Sequence, residues 1–68
     1  MKLIVDNMSC QHCVKAITKA INDIDPKAKV TVDLIKHEVD IANSTISQEA
    51  VIDAVNNAGY DFVRIVTP

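Results

Sequence analysis

The residues most able to do chemistry are the only two cysteines, set two apart in Cys10-Gln11-His12-Cys13. That spacing lets both sulfurs face one point. The thiolate is both nucleophile and metal ligand, and the N-terminus of a helix favours it through unpaired amides and a partial positive charge. No acidic residue occurs from Gln11 to Asn22, whereas Lys15 and Lys19 do, so local charge also favours thiolates. Structural zinc sites close a tetrahedron of four ligands. Only His12 and His37 could add to the sulfurs, and neither is well placed by spacing. Soft thiolates select Cu(I), whose filled d-shell and modest charge tolerate two ligands. Such a shell leaves the ion open to a third thiolate from another protein. The pair therefore implies one soft metal, held and exchangeable.

For that chemistry the cysteines must sit between a strand and a helix, and the flanking periodicities supply both. From Lys2 to Asp6 the chain alternates, with Leu3 and Val5 on one side. Asn7 to Cys10 is a polar turn. From Gln11 the period changes: Val14, Ile17, Ile21 and Ile24 step by three and four, which predicts an amphipathic helix that Pro26 ends. Cys10 then falls on the loop and Cys13 on the opening helical turn. Val30, Val32 and Leu34 alternate with polar residues, and Val39 and Ile41 resume the pattern after Ile35-Lys36-His37, predicting an antiparallel hairpin of undefined turn type. Ser47 is the expected N-cap of a second helix, with an Ile46–Val51 staple, an apolar face through Ile52, Val55 and Ala58, and Gly59 as its left-handed terminator. Asp61 to Val66 closes as a strand whose inward residues are taken to be Val63 and Ile65. Strand, helix, strand, strand, helix, strand is the split βαβ order, an α+β arrangement with two helices on one face of a four-stranded antiparallel sheet.

Bulk properties exclude several functions. Sixty-eight residues make one domain, 1–68, which buries about 60% of its unfolded surface. A multistep enzyme needs more pocket wall than this, and the expectation is a non-enzyme. The 49% hydrophobic content is too high for a disordered chain. A net charge of −2 argues against nucleic-acid binding. Leu3-Ile4-Val5 is too short for the apolar core of a signal peptide, and no run reaches the roughly 20 apolar residues of a membrane span. The expected setting is a reducing cytoplasm, where closely spaced cysteines bind metal or do redox work.

Met8-Ser9-Cys10-Gln11-His12-Cys13 resembles the M-[TS]-C-x-x-C loop of heavy-metal-associated domains. The likeness continues through Val30 to Leu34, Glu38 to Ile41 and Ala58-Gly59-Tyr60-Asp61, and is greatest to free-standing bacterial copper chaperones. The resemblance implies a ferredoxin-like βαββαβ fold, Cu(I) on Cys10 and Cys13, and delivery to the soluble metal-binding domain of a copper-transporting P-type ATPase. It makes Met8 a buried prop and Tyr60 an aromatic beside the metal loop that shields the sulfurs. Asn7 departs from the glycine that many relatives carry, although asparagine tolerates left-handed geometry. Ser9 stands where zinc-exporting relatives often carry aspartate, which weakens a zinc reading.

Each residue also has a plainer reading. Met8 is expected in the core, His12 as an exposed spacer, His37 as a solvated hairpin residue emerging at the loop's end of the sheet, and Lys15 and Lys19 as a wet helix face. Copper shared between chains would give a bridged homodimer. Other functions compatible with the cysteines are a metal-binding domain of a transporter, a mercury carrier, which would require export, and a thiol–disulfide oxidoreductase. The last is disfavoured because thioredoxin-like folds are longer and place a cis-proline opposite the dithiol. Pro26 and Pro68 are the only prolines, and neither is suited.

Overall fold

Residues 1–8 and 11–66 are described by a computed structural model. The elements run β1 (Lys2–Asp6), α1 (Gln11–Ile24), β2 (Lys29–Asp33), β3 (Glu38–Ala42), α2 (Gln48–Asn57) and β4 (Asp61–Val66). All three strand pairings are antiparallel, in the order β2-β3-β1-β4. The expected element order and ferredoxin-like architecture are present.

One face of the sheet carries the core. Leu3 pairs with Val39 on one side and Ile65 on the other, and Val30 pairs with Ile41. Leu3, Val5 and Val39 are completely buried, in one cluster with Ile17 and Ile21 of α1 and Val51 and Val55 of α2. Both helices therefore pack on the same face. The stripe that α1 buries is Cys13, Ile17 and Ile21; Val14 lies at its margin and Ile24 is 51% exposed. The expected face was thus rotated slightly, because a cysteine can serve as a small apolar side chain.

Helix α2 has the expected ends. Ser47 Oγ accepts from the Ala50 amide at 3.1 Å, and Ile46 packs against the cluster that holds Val51. At the C-terminus, Gly59 N–H donates to Asn56 O at 3.1 Å and Tyr60 N–H to Val55 O at 3.2 Å. This pair of bonds is the Schellman arrangement, and Gly59 supplies the left-handed residue it needs, with φ +97°. The β2–β3 turn is also defined. Asp33 Oδ1 accepts from the amides of Ile35 at 2.9 Å and Lys36 at 3.0 Å, and His37 completes the reversal at φ +59°.

The expected inward face of β4 requires correction. Ile65 does pack on the core, but Val63 is 47% exposed and Phe62 takes the inward place. The β1–β4 register shifts between Ile4, opposite Arg64, and Val5, opposite Phe62. Val63 is the extra residue of a β-bulge, which breaks strict alternation and lets residues 62 and 65 face the same way.

Candidate metal site

The site is built where β1 ends and α1 begins. Asp6 is the last residue of β1, and Asn7 turns the chain with φ +70°, the left-handed geometry that asparagine tolerates better than most residues. Asn7 Nδ2 lies 3.5 Å from Gly59 O, tying the turn to the end of α2. Met8 is 4% exposed and belongs to the core cluster, as expected. Ser9 and Cys10 lie outside the described residues, and the assignments made to them stand as sequence readings.

Cys13 is the third residue of α1, in a first turn without acidic residues. An electropositive helix start favours negative charge on its sulfur. The residue is 5% exposed and packs with Met8, Val5 and Ile17 in the core cluster. The amphipathic stripe that orients α1 turns position 13 inward, toward the core.

Two other chain segments, the β2–β3 hairpin and the α2–β4 connection, converge on this end of the sheet. Val5 N–H donates to His37 O at 2.9 Å, which seats the hairpin beside the end of β1, as expected. His37 Nδ1 lies 3.6 Å from Asp6 Oδ1 on the exposed side. Tyr60, half-buried and packed on the core, precedes Asp61, the partner of Asp6 in the β1–β4 ladder. His12 is exposed on α1. Lys15 and Lys19 are exposed too, and Lys19 Nζ pairs with Asp23 Oδ2 at 3.0 Å, one turn on. Among the described residues no group of three or more His, Cys, Asp or Glu side chains is arranged to hold a metal. No helix among them is long and apolar enough to cross a membrane. The Asp6–His37 contact and an apolar groove beside Val14 had no sequence signal, since both depend on how the hairpin seats against β1 and α1.

A fold of this topology, with a thiol at the first turn of α1 and the β1–α1, β2–β3 and α2–β4 connections gathered at one end, defines a class of small soft-metal-binding domains. The chain belongs to the heavy-metal-associated domain family, whose sequence model matches residues 2–61. It is 36% identical over 64 residues to a copper chaperone, CopZ, of Bacillus subtilis, covering 91% of this chain and 93% of that one. It is 38% identical over 58 residues to the COP-associated protein of Helicobacter felis, covering 84% and 88%. Among solved structures, the copper chaperone Atx1 of Synechocystis PCC6803 superposes with a TM-score of 0.87 at 33% identity, covering 93% of this chain and 98% of the other.

Proposed function

We propose that this chain is a cytoplasmic copper carrier. Residues 1–68 act as one unit that binds Cu(I) through the thiolates of Cys10 and Cys13 and enters no catalytic cycle of its own. The supporting observation is the seating of Cys13 on the first turn of α1, at the end where Asn7, Met8 and Tyr60 converge, in a chain alike over nine-tenths of its length to a protein named a copper chaperone. Transfer proceeds by exchange of one thiolate at a time to a sulfur of the soluble metal-binding domain of a copper-transporting P-type ATPase. Because Cys13 is buried, its exchange requires local opening of the first helical turn, the part of a helix least costly to open. Tyr60 limits access of solvent and of other thiols. A copper-bridged pair of chains is the expected by-product when no acceptor is present.

The test is anaerobic titration of the reduced chain with Cu(I), Zn(II) and Hg(II) against a competing chelator, followed by exchange with the acceptor domain. Cu(I) should bind most productively, and Cys10→Ser with Cys13→Ser should abolish binding while the far-ultraviolet dichroism persists. Because the ligands must be deprotonated, apparent affinity should fall with pH; an affinity that does not change between neutral and mildly acidic solution refutes thiolate ligation.

A further inference from the structure

Strand β2 (Lys29–Asp33) is an edge of the sheet: β3 pairs with one side of it, and among the described residues no strand covers the other. Such an edge offers a row of backbone N–H and C=O groups to any strand that can match it. Val30 and Val32 turn inward and pack on the core, while Lys29, Thr31 and Asp33 alternate with them on the outward face. Lys29 and Thr31 are exposed, and Lys29 forms no ion pair among the described residues. At the other end of the strand, Asp33 uses a single oxygen, Oδ1, to accept from the amides of both Ile35 and Lys36. Those bonds hold its carboxyl below the ordinary value of 3.8, so it is charged at neutral pH. Its partner across the β2–β3 ladder, Glu38, is also a carboxylate, and two like charges set opposite each other favour a cation placed beside them.

Lys-Val-Thr-Val-Asp is its own complement when the strand is reversed. Laid antiparallel on β2 of a second copy and centred on Thr31, it brings Lys29 opposite Asp33 of that copy, and Asp33 opposite its Lys29. Val30 meets Val32 on the core side, and Thr31 meets Thr31 on the two-fold axis. Residues placed opposite share the same parity, so the donors and acceptors of the ladder meet. Facing threonines, β-branched neighbours and opposite charges are all favourable cross-strand pairs. Other registers fail. Parallel pairing sets Lys29 beside Lys29 and Asp33 beside Asp33, and a slip of one residue puts the valines of one copy against the outward residues of the other. The end charges therefore select one register rather than block the edge. The opposite edge, β4, lacks this pattern: Arg64 would meet Val63, Asp61 would meet Val66, and the bulge at Val63 interrupts the ladder.

We propose that β2 pairs edge to edge with β2 of a second copy, joining two metal-free chains through one continuous sheet. This pairing differs from a copper-bridged pair and does not depend on the carrier reading. Each metal loop lies at the Asp33 end of its own β2, because the hairpin is seated beside the end of β1. The two strands run in opposite directions, so the loops stand at opposite ends of the joint sheet and cannot share one ion. A net charge of −2 per copy adds little long-range repulsion. Five residues a side bury less than the ~1,200 Å² of a standard interface, so the pairing is weak and reversible.

The experiment follows the reduced, metal-free chain by sedimentation equilibrium and amide NMR up to millimolar concentration, at low and high salt. The parent should dimerise, less strongly in high salt because the pairs between Lys29 and Asp33 are open to solvent. The β2 amides should shift and gain protection from exchange as it does so. Thr31→Lys and Thr31→Glu each put like charges on the two-fold axis, and each should weaken dimerisation roughly tenfold or more. Mixed in equal amounts, these two variants should form a heterodimer at least as readily as the parent forms its dimer. Lys29→Glu should weaken self-association to a similar extent. Circular dichroism of every variant should match the parent, because both positions are exposed. A metal-free chain that stays monomeric at millimolar concentration overturns the proposal, as does a pair that forms only with Cu(I). A dimer that survives both Thr31 variants is built on another surface and also overturns it. So does a mixture of the two variants that fails to associate. The carrier reading is tested separately by Cu(I) titration and stands or falls without these results.

Discussion

Replacing Gly59 by alanine isolates backbone strain from every other effect at the turn that places Tyr60. A Cβ added there meets nothing within 4 Å, so no steric clash contributes. What remains is φ +97°, a conformation that side-chain-bearing residues resist at a cost of roughly 1–2 kcal/mol. Part of that is offset because alanine also restricts the unfolded chain, by about 0.4–1 kcal/mol. The net expectation is a loss of about 1 kcal/mol, which for a domain of this length lowers Tm by about 7 °C. The two bonds of the turn, Gly59 N–H to Asn56 O and Tyr60 N–H to Val55 O, are both backbone bonds and are formally retained. Gly59→Asn should therefore recover part of the loss, because asparagine enters the left-handed region more readily. Thermal unfolding of the reduced, copper-free chain followed by circular dichroism measures all three proteins. If Gly59→Ala melts within about 2 °C of the parent, or if alanine and asparagine behave alike, the strain argument fails.

The β4 bulge predicts opposite responses from adjacent residues. Phe62→Ala should destabilise by about 2–3 kcal/mol in a urea titration, and Val63→Ala by less than about 0.5 kcal/mol; the reverse order would refute the bulged register. Asp25 is held below its ordinary value of 3.8 mainly by the Ser44 hydroxyl at 2.6 Å, with help from the Lys27 amide. A carboxyl depressed in the folded state stabilises the protein above its unfolded pKa, and that contribution is lost as pH falls through the folded value. Ser44→Ala should accordingly flatten the dependence of stability on pH on the acid side of 3.8, and an unchanged slope would separate the hydroxyl from the shift. Reversing Lys15 and Lys19 together should slow copper transfer without altering Cu(I) affinity. Unchanged transfer would reduce both to a solvated helix face, a role already suggested for Lys19 by its exposed pair with Asp23.

Local physics determined much of this protein from the sequence alone. The period-two runs of β1 and β3, the three-and-four spacing of α1, the Ser47 cap and the Gly59 terminator each act within a few residues, and each stands where the sequence put it. Asn7 is left-handed, Met8 is in the core, and the hairpin emerges beside the metal loop, all as expected. The cysteine spacing, combined with its place before a helix, was enough to define the candidate chemistry, because ligand softness is a property of side chains and not of packing.

Tertiary structure decided what depends on how elements meet. A bulge opposite Ile4 and Val5 exchanged Phe62 for Val63, since two residues facing one partner residue reset the alternation that sequence reading relies on. Cys13 became part of the core because α1 turns its 13–17–21 stripe toward the sheet, a choice that Val14 and Ile24 left open in the sequence. The exposed Ile35 and the groove beside it could not be read from composition, because an apolar residue in a turn has no fixed surroundings until the hairpin is seated against α1 and β1. Side-chain periodicity specifies which elements form. Their mutual register and rotation are set by the packing of all of them at once.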